Sequence, residues 1–181
     1  MEIDGGGELL GLASGKVRLA EAKARWPVVF ERLSAALRET LRQQAVAIEH
    51  VGSTAVPDLA AKPILDIAVS LKHAVNIDSV IGAMERAGYQ FRGDQGNEGG
   101  LVFVLDDQPD HRVAHVHVLR QGDPQWTAYL TVRERLRTDR QTRAAYDSLK
   151  RRLAQEFPHD REAYTAGKAS FIAGLLDDDS L

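Results

Sequence analysis

The stretch IEHVGSTAVPDLAAKPILDIAV, residues 48–69, joins a hydrophobic segment to a Gly-Ser turn and then to a second hydrophobic segment carrying one carboxylate. Twelve residues separate Gly52–Ser53 from Asp66. A glycine followed by a hydroxyl lets backbone N–H groups and an O–H approach phosphate oxygens with no bulky side chain between them. A carboxylate close by can hold a divalent cation against the same oxygens. Period two along residues 64–71 places Ile64, Asp66, Ala68 and Ser70 on one face. Leu65, Ile67, Val69 and Leu71 take the other face, which packs. The chemistry that suits this arrangement is the binding and transfer of phosphate groups. A tight turn followed by a strand-end aspartate is the purely structural alternative, and the spacing leaves both open.

Positioning these residues requires regular elements on either side. Trp26, Val29, Phe30, Leu33, Leu37 and Leu41 form one apolar stripe, which predicts a long helix. Strands are predicted at 45–51 and 64–71, with a short edge strand over 16–20. Asp78 to Ala87 reads as a helix closed by Gly88. LVFVL (101–105) and VAHVHVL (113–119) read as two further strands joined by the polar turn DDQPDHR. The rest is helical: Asp123–Pro124 opens one helix, Thr138 with Gln141 forms a capping box for the next, Pro158 ends it, and Asp160 caps the last. Strands clustered in the middle with helices before and after predict an α+β domain around a mixed sheet.

Composition bounds the possibilities. A chain of 181 residues and 19.9 kDa fits one domain, expected over 16–176, between a Gly-rich lead-in at 1–15 and an acidic tail at 177–181. The absence of cysteine excludes disulfides, a thiol nucleophile and Cys-ligated zinc or iron–sulfur sites. A net charge of −3 argues against general nucleic-acid binding, and no apolar run approaches a membrane span. The first fifteen residues lack the pattern of a secretory signal, so the expected location is cytoplasmic.

Gly52–Ser53 with Asp66 resembles the nucleotidyltransferase superfamily related to DNA polymerase β. More closely, EHVGSTAVP, AKPILDI, RVAHVHV, a Trp-containing helix and the later Tyr…Lys and Tyr…Lys…Phe pairs resemble the GrpB family, from about Trp26 to Leu175. The resemblance implies a nucleotidyltransferase-like mixed sheet flanked by helices, with a helical C-terminal part. It implies phosphate contacts from Gly52, Ser53, Thr54, Lys62, Arg112 and Arg133, a metal-binding and catalytic Asp66, and roles for Lys150 and Lys168 in the chemistry. The family also occurs fused to dephospho-CoA kinase, where a folding-assistance role has been suggested.

The superfamily's second metal-binding acid would stand at position 68, which is Ala68 here. A two-metal mechanism needs several carboxylates, and Asp66 alone does not supply them. His115 and His117 share a strand face and can both ligate one metal beside Asp66, with His50 a third candidate. Hydrogen bonding to backbone, or simple cover for a sheet face, is the structural alternative for the pair. Such a donor set suits Zn²⁺ or Fe²⁺, or Mn²⁺ better than the Mg²⁺ of the superfamily. Histidine-triad hydrolysis would need a histidine at Leu119. Residues 131–152 hold eight Arg and Lys against three acids, mostly a solvated face, but Lys150 and Lys168 fall on the apolar sides of their helices. Asp58 and the pair Glu134–Arg135 depart from the family pattern. The expected activity is metal-dependent transfer of a nucleotidyl group from an NTP to a small acceptor. The alternative is an accessory or nucleotide-binding module on the same fold.

Overall fold

Alternation of apolar and polar residues decides how the chain layers. A computed structural model describes residues 10–13, 15–95 and 100–177. Strands β1 (Leu12–Ala13), β2 (Ala45–Val51), β3 (Leu65–Leu71), β4 (Gln90–Asp94), β5 (Leu101–Gln108) and β6 (His111–Arg120) form one sheet in the order β2-β3-β6-β5-β4. β1 pairs with the first residues of β6. The β3–β6 pair is parallel and the other pairs are antiparallel, so the sheet is mixed as expected.

Helix α1 (Arg25–Leu41) buries Trp26, Val29, Phe30, Leu33, Leu37 and Leu41, the stripe read from the sequence, against one sheet face. Leu65, Ile67, Val69 and Leu71 of β3 meet it, with Ala114, Val116 and Val118 of β6. Helix α2 (Ile77–Arg86), capped by the Asn76 side chain, adds Val80 and Met84 to the same core. Four C-terminal helices follow: α3 (Pro124–Thr138), α4 (Arg140–Glu156), α5 (Arg161–Ala166) and α6 (Ala169–Asp177). They build smaller apolar clusters around Leu59, Leu136 and Tyr146, and around Val17, Leu153 and Tyr164. No described helix is long and apolar enough to cross a membrane.

Several expectations are corrected in detail. Residues 16–20 form no strand; Ala20 makes one isolated bridge to Ala61. Asp139, rather than Thr138, caps α4, its carboxylate accepting from the N–H groups of Gln141 and Thr142. The last helix divides into α5 and α6 at Gly167–Lys168, and β4 was not anticipated. The expected lead-in and tail lie largely outside the described residues, although Leu12–Ala13 of the former is the strand β1.

Candidate functional site

The register of β3 against β6 sets the site. Asp66 is level with His115 and Ala68 with His117, so one carboxylate and two imidazoles project from neighbouring strands on the face opposite α1. The His115 Nδ1 lies 3.1 Å from Asp66 Oδ1, and the His115 Nε2 lies 3.1 Å from an Arg161 guanidinium nitrogen. His117 Nδ1 is 3.1 Å from the Tyr129 hydroxyl. Burial opposes ionisation of Asp66, but the hydrogen bond from His115 and the charges of His115, His117 and Lys62 outweigh it and hold the carboxyl at about 2. The carboxylate is an anion throughout the physiological range.

Gly52 adopts φ 68° and ψ −170°, a region reserved for glycine, and a Cβ there would collide with the Asp66 carboxylate. The turn can therefore press against Asp66 only with glycine at this position. His50 fixes the turn from the other side. Its register opposite Ile67 puts it on the α1 face, where its ring stacks on Phe30 at 4.8 Å and its Nε2 meets the Thr54 hydroxyl at 3.0 Å. Burial is the main reason its pKa falls to about 4, so the ring is neutral. His50 is thus a positioning residue for the turn and does not face Asp66.

The cavity beside this turn has a volume of about 250 Å³ and includes Ser53, Thr54, Asp66, His115 and His117 in its walls. Lys62, Lys150, Arg161 and Lys168 converge on it. Lys62 and Lys168 both lie over the Tyr164 ring, at 5.4 and 4.5 Å from its centroid. Burial first, then repulsion from Lys168 and Arg161, lowers the Lys62 pKa to about 8. Burial lowers that of Lys168 as well, and Asp66 works against the shift. Lys150, 1% exposed, donates to the Ala60 carbonyl while the Ala60 N–H is held by Asp147. Burial brings its pKa to about 7.

Other expected phosphate ligands stand elsewhere. Arg133 spans from α3 to β2, donating at 2.8 Å to both Glu49 and the His50 carbonyl. Arg112 pairs with Asp106 at 2.5 Å. Neither lines the cavity. Two arginines at the site escaped the sequence reading: Arg161, in the cavity, and Arg137, which donates twice to the Ala55 carbonyl and clamps the turn. Asp160 as a helix cap was the available signal for Arg161, because it places the next residue at the start of α5.

These donors bear on the expected metal. Asp66 and His115 offer two ligands, His117 turns Nδ1 to Tyr129, and Glu49, directly opposite Ala68, is engaged by Arg133. Among the described residues no group of three or more His, Asp or Glu side chains is placed to hold a metal ion. Zinc sites take three or four protein ligands, and the surrounding lysines repel a dication. The described side chains fall short of a closed zinc site, and Asp66 with His115 leaves the rest of any cation's shell to phosphate oxygens or water.

Comparison with known proteins agrees with this architecture. The family model described as GrpB protein matches residues 16–178. UPF0157 protein PA4798 of Pseudomonas aeruginosa is 37% identical over 165 residues, covering 89% of this chain, which spans only 66% of that protein's length. The crystal structure of GrpB from Enterococcus faecalis superposes with a TM-score of 0.79 at 32% identity, covering 87% of this chain and 94% of that one. The Cid1 poly(U) polymerase, in its MgGTP-bound form, shares the fold at a TM-score of 0.51 and 10% identity, over 75% of this chain and 44% of its own.

Proposed function

This chain belongs to the GrpB family, on a nucleotidyltransferase-like fold, and from that premise we propose that it binds the phosphate groups of a nucleotide or similar phosphorylated small molecule. The observation that carries the reading is the convergence of Lys62, Lys150, Arg161 and Lys168 on one cavity with Asp66 as its single carboxylate. Crowded cations raise each other's free energy, and an anion among them relieves it. Arg161 offers a planar fork for phosphate oxygens, and Ser53 and Thr54 supply hydroxyls from the adjacent turn. Because Lys62 titrates near 8 and Lys150 near 7, an incoming phosphate draws protons onto them, and affinity falls as pH rises through 7 to 9.

Isothermal titration with tripolyphosphate and with ATP, in EDTA and then with Mg²⁺, Mn²⁺ or Zn²⁺, tests the proposal. Binding is expected in EDTA, at least about tenfold weaker in Lys62→Met and Lys168→Met. In Asp66→Asn it is undiminished or tighter, because a repelling charge is gone. Absence of binding under every condition refutes the reading.

Nucleotidyl transfer to a small acceptor is the second reading, favoured by the ionised Asp66 set against the Gly52–Ser53 turn. It predicts that binding requires a divalent cation and is lost in Asp66→Asn, with pyrophosphate released from an NTP.

A further inference from the structure

A second cavity of about 240 Å³ adjoins the first and shares Ser53, Asp66 and Lys168 with it. Each alone falls below the roughly 300 Å³ at which small-molecule sites begin. Bordering on those three residues, the two are neighbouring compartments of unlike character. The second is walled by Tyr129, Val132, Leu136, Tyr146, Ile172 and Leu176. Its aromatic hydroxyls are already committed to the shared wall, that of Tyr129 to His117 and that of Tyr146 to Ser53. What remains facing the space is ring and aliphatic surface, with the Gln125 amide among the few polar groups.

Helix α6 points the same way. Its sequence ASFIAGLLD is mostly apolar, yet no residue in it is buried. Phe171 stacks on Tyr146 at 5.0 Å, Ile172 faces the compartment, and Leu176, 37% exposed, stands at the rim. An apolar helix that packs on the cluster around Leu59, Leu136 and Tyr146 through Phe171, Ile172 and Leu175 without burying any of them, and that borders a cavity, is placed to cover an apolar occupant.

We propose that this compartment receives the flat, uncharged body of the phosphorylated ligand, an aromatic ring joined to its phosphate by a short linkage that passes Ser53, Asp66 and Lys168. The inference rests on the phosphate-binding reading above. A ribose or other sugar in the apolar compartment would leave hydroxyls without partners. Sugar therefore belongs at the junction, and the ring belongs beyond it.

The probes are inorganic phosphate, 1-naphthyl phosphate, AMP and 1-naphthol, titrated calorimetrically into the whole chain. 1-Naphthyl phosphate is expected to bind at least about tenfold more tightly than inorganic phosphate. An equal gain for AMP identifies a nucleobase as the ring, and a gain for 1-naphthyl phosphate alone identifies an aryl ester. Ala128→Phe, at a small residue that also lines the compartment and is absent from the first cavity, fills it, removes the gain and leaves inorganic phosphate binding unchanged. Leu176→Gln, at the exposed rim, reduces the gain without endangering the fold. Equal affinities for all the phosphates in the wild type overturn the inference while leaving the phosphate reading intact. Binding of 1-naphthol as tight as that of its phosphate also overturns it. If no phosphate binds at all, both fail.

Discussion

On β3 and β6, neighbouring residues face environments that share little beyond the backbone between them. Toward α1, Leu65, Ile67 and Val69 meet Val116 and Val118, all at 0–2% exposure, in a face made of interchangeable apolar contacts. Toward the C-terminal helices, Asp66, His115 and His117 each have a specific polar neighbour, and the Asp66 side chain remains 35% exposed to the cavity. The first face derives stability from area, so its contributions are large and chemically unspecific. The second holds ionisable groups partly out of water, which opposes folding, and keeps them where an anion would compensate. Stability and chemistry are thus separated by residue parity within single strands.

The strongest way to break this comparison is to damage the apolar face alone. Phe103 of β5 is level with Val116, fully buried, and packs on Phe91 at 5.1 Å. Phe103→Ala is expected to lower unfolding free energy by about 3–5 kcal/mol in urea titration. Phosphate affinity of the molecules that remain folded should not change. A matching loss of affinity would show that the two faces are coupled.

Lys150 sharpens the other half of the comparison. Its pKa in the fold, about 7, lies below the 10.5 of a free lysine, so the unfolded chain binds its proton more readily between those values. Folding stability is therefore penalised below pH 7 and rises as pH increases from 7 toward 10.5. The difference is on the order of 5 kcal/mol. Lys150→Met should remove its share of that rise in denaturant midpoints measured across the window, leaving the smaller share of Lys62, whose pKa of about 8 also lies below 10.5. A wild type whose stability is flat from pH 7 to 10 would show that the buried amine carries no such penalty.

His50 is the polar exception on the apolar face, and its titration runs in the acid range. With a folded pKa of about 4 against 6.5, its contribution is complete above pH 6.5 and is lost as pH falls through 4. About 3 kcal/mol should disappear over that interval. His50→Gln should flatten the fall in Tm between pH 6.5 and 4 relative to wild type.

How far these faces were legible in the sequence depends on the range of the interaction. Period two along 64–71 sorted Asp66 from Leu65 and Ile67, and helical spacing found the buried stripe of α1, because both signals are local. β4 was missed because QFRGD carries no alternation of apolar residues, its pairing being set by β5. Within the site, the turn, Asp66, Lys62, Lys150 and Lys168 line one cavity, whereas Arg112 and Arg133 do not. Arg112 is taken by Asp106 across its own hairpin, and Arg133 of α3 by Glu49 of β2, a contact between residues 84 positions apart that leaves no periodic trace. Arg161 escaped for the same reason: what distinguishes it from the other arginines of the C-terminal helices is the fold that carries it to His115.

Gly52 is where the two faces impose demands on one residue, and its replacement gives the smallest expected loss of stability. The turn must leave β2 with His50 held on the core side, yet press against Asp66 on the cavity side. Gly52→Ala would force a side chain into glycine-only backbone space, a strain of about 1–3 kcal/mol. The new methyl group must also displace the Asp66 carboxylate, and with it the contact to His115. Tm should therefore fall modestly, while the NMR chemical shifts of the His115 ring change markedly and those of the Phe103 ring stay near their wild-type values. Equal perturbation of both rings would mean that the turn is braced by the core rather than by Asp66. The division of labour across the sheet would then have to be redrawn at its edge.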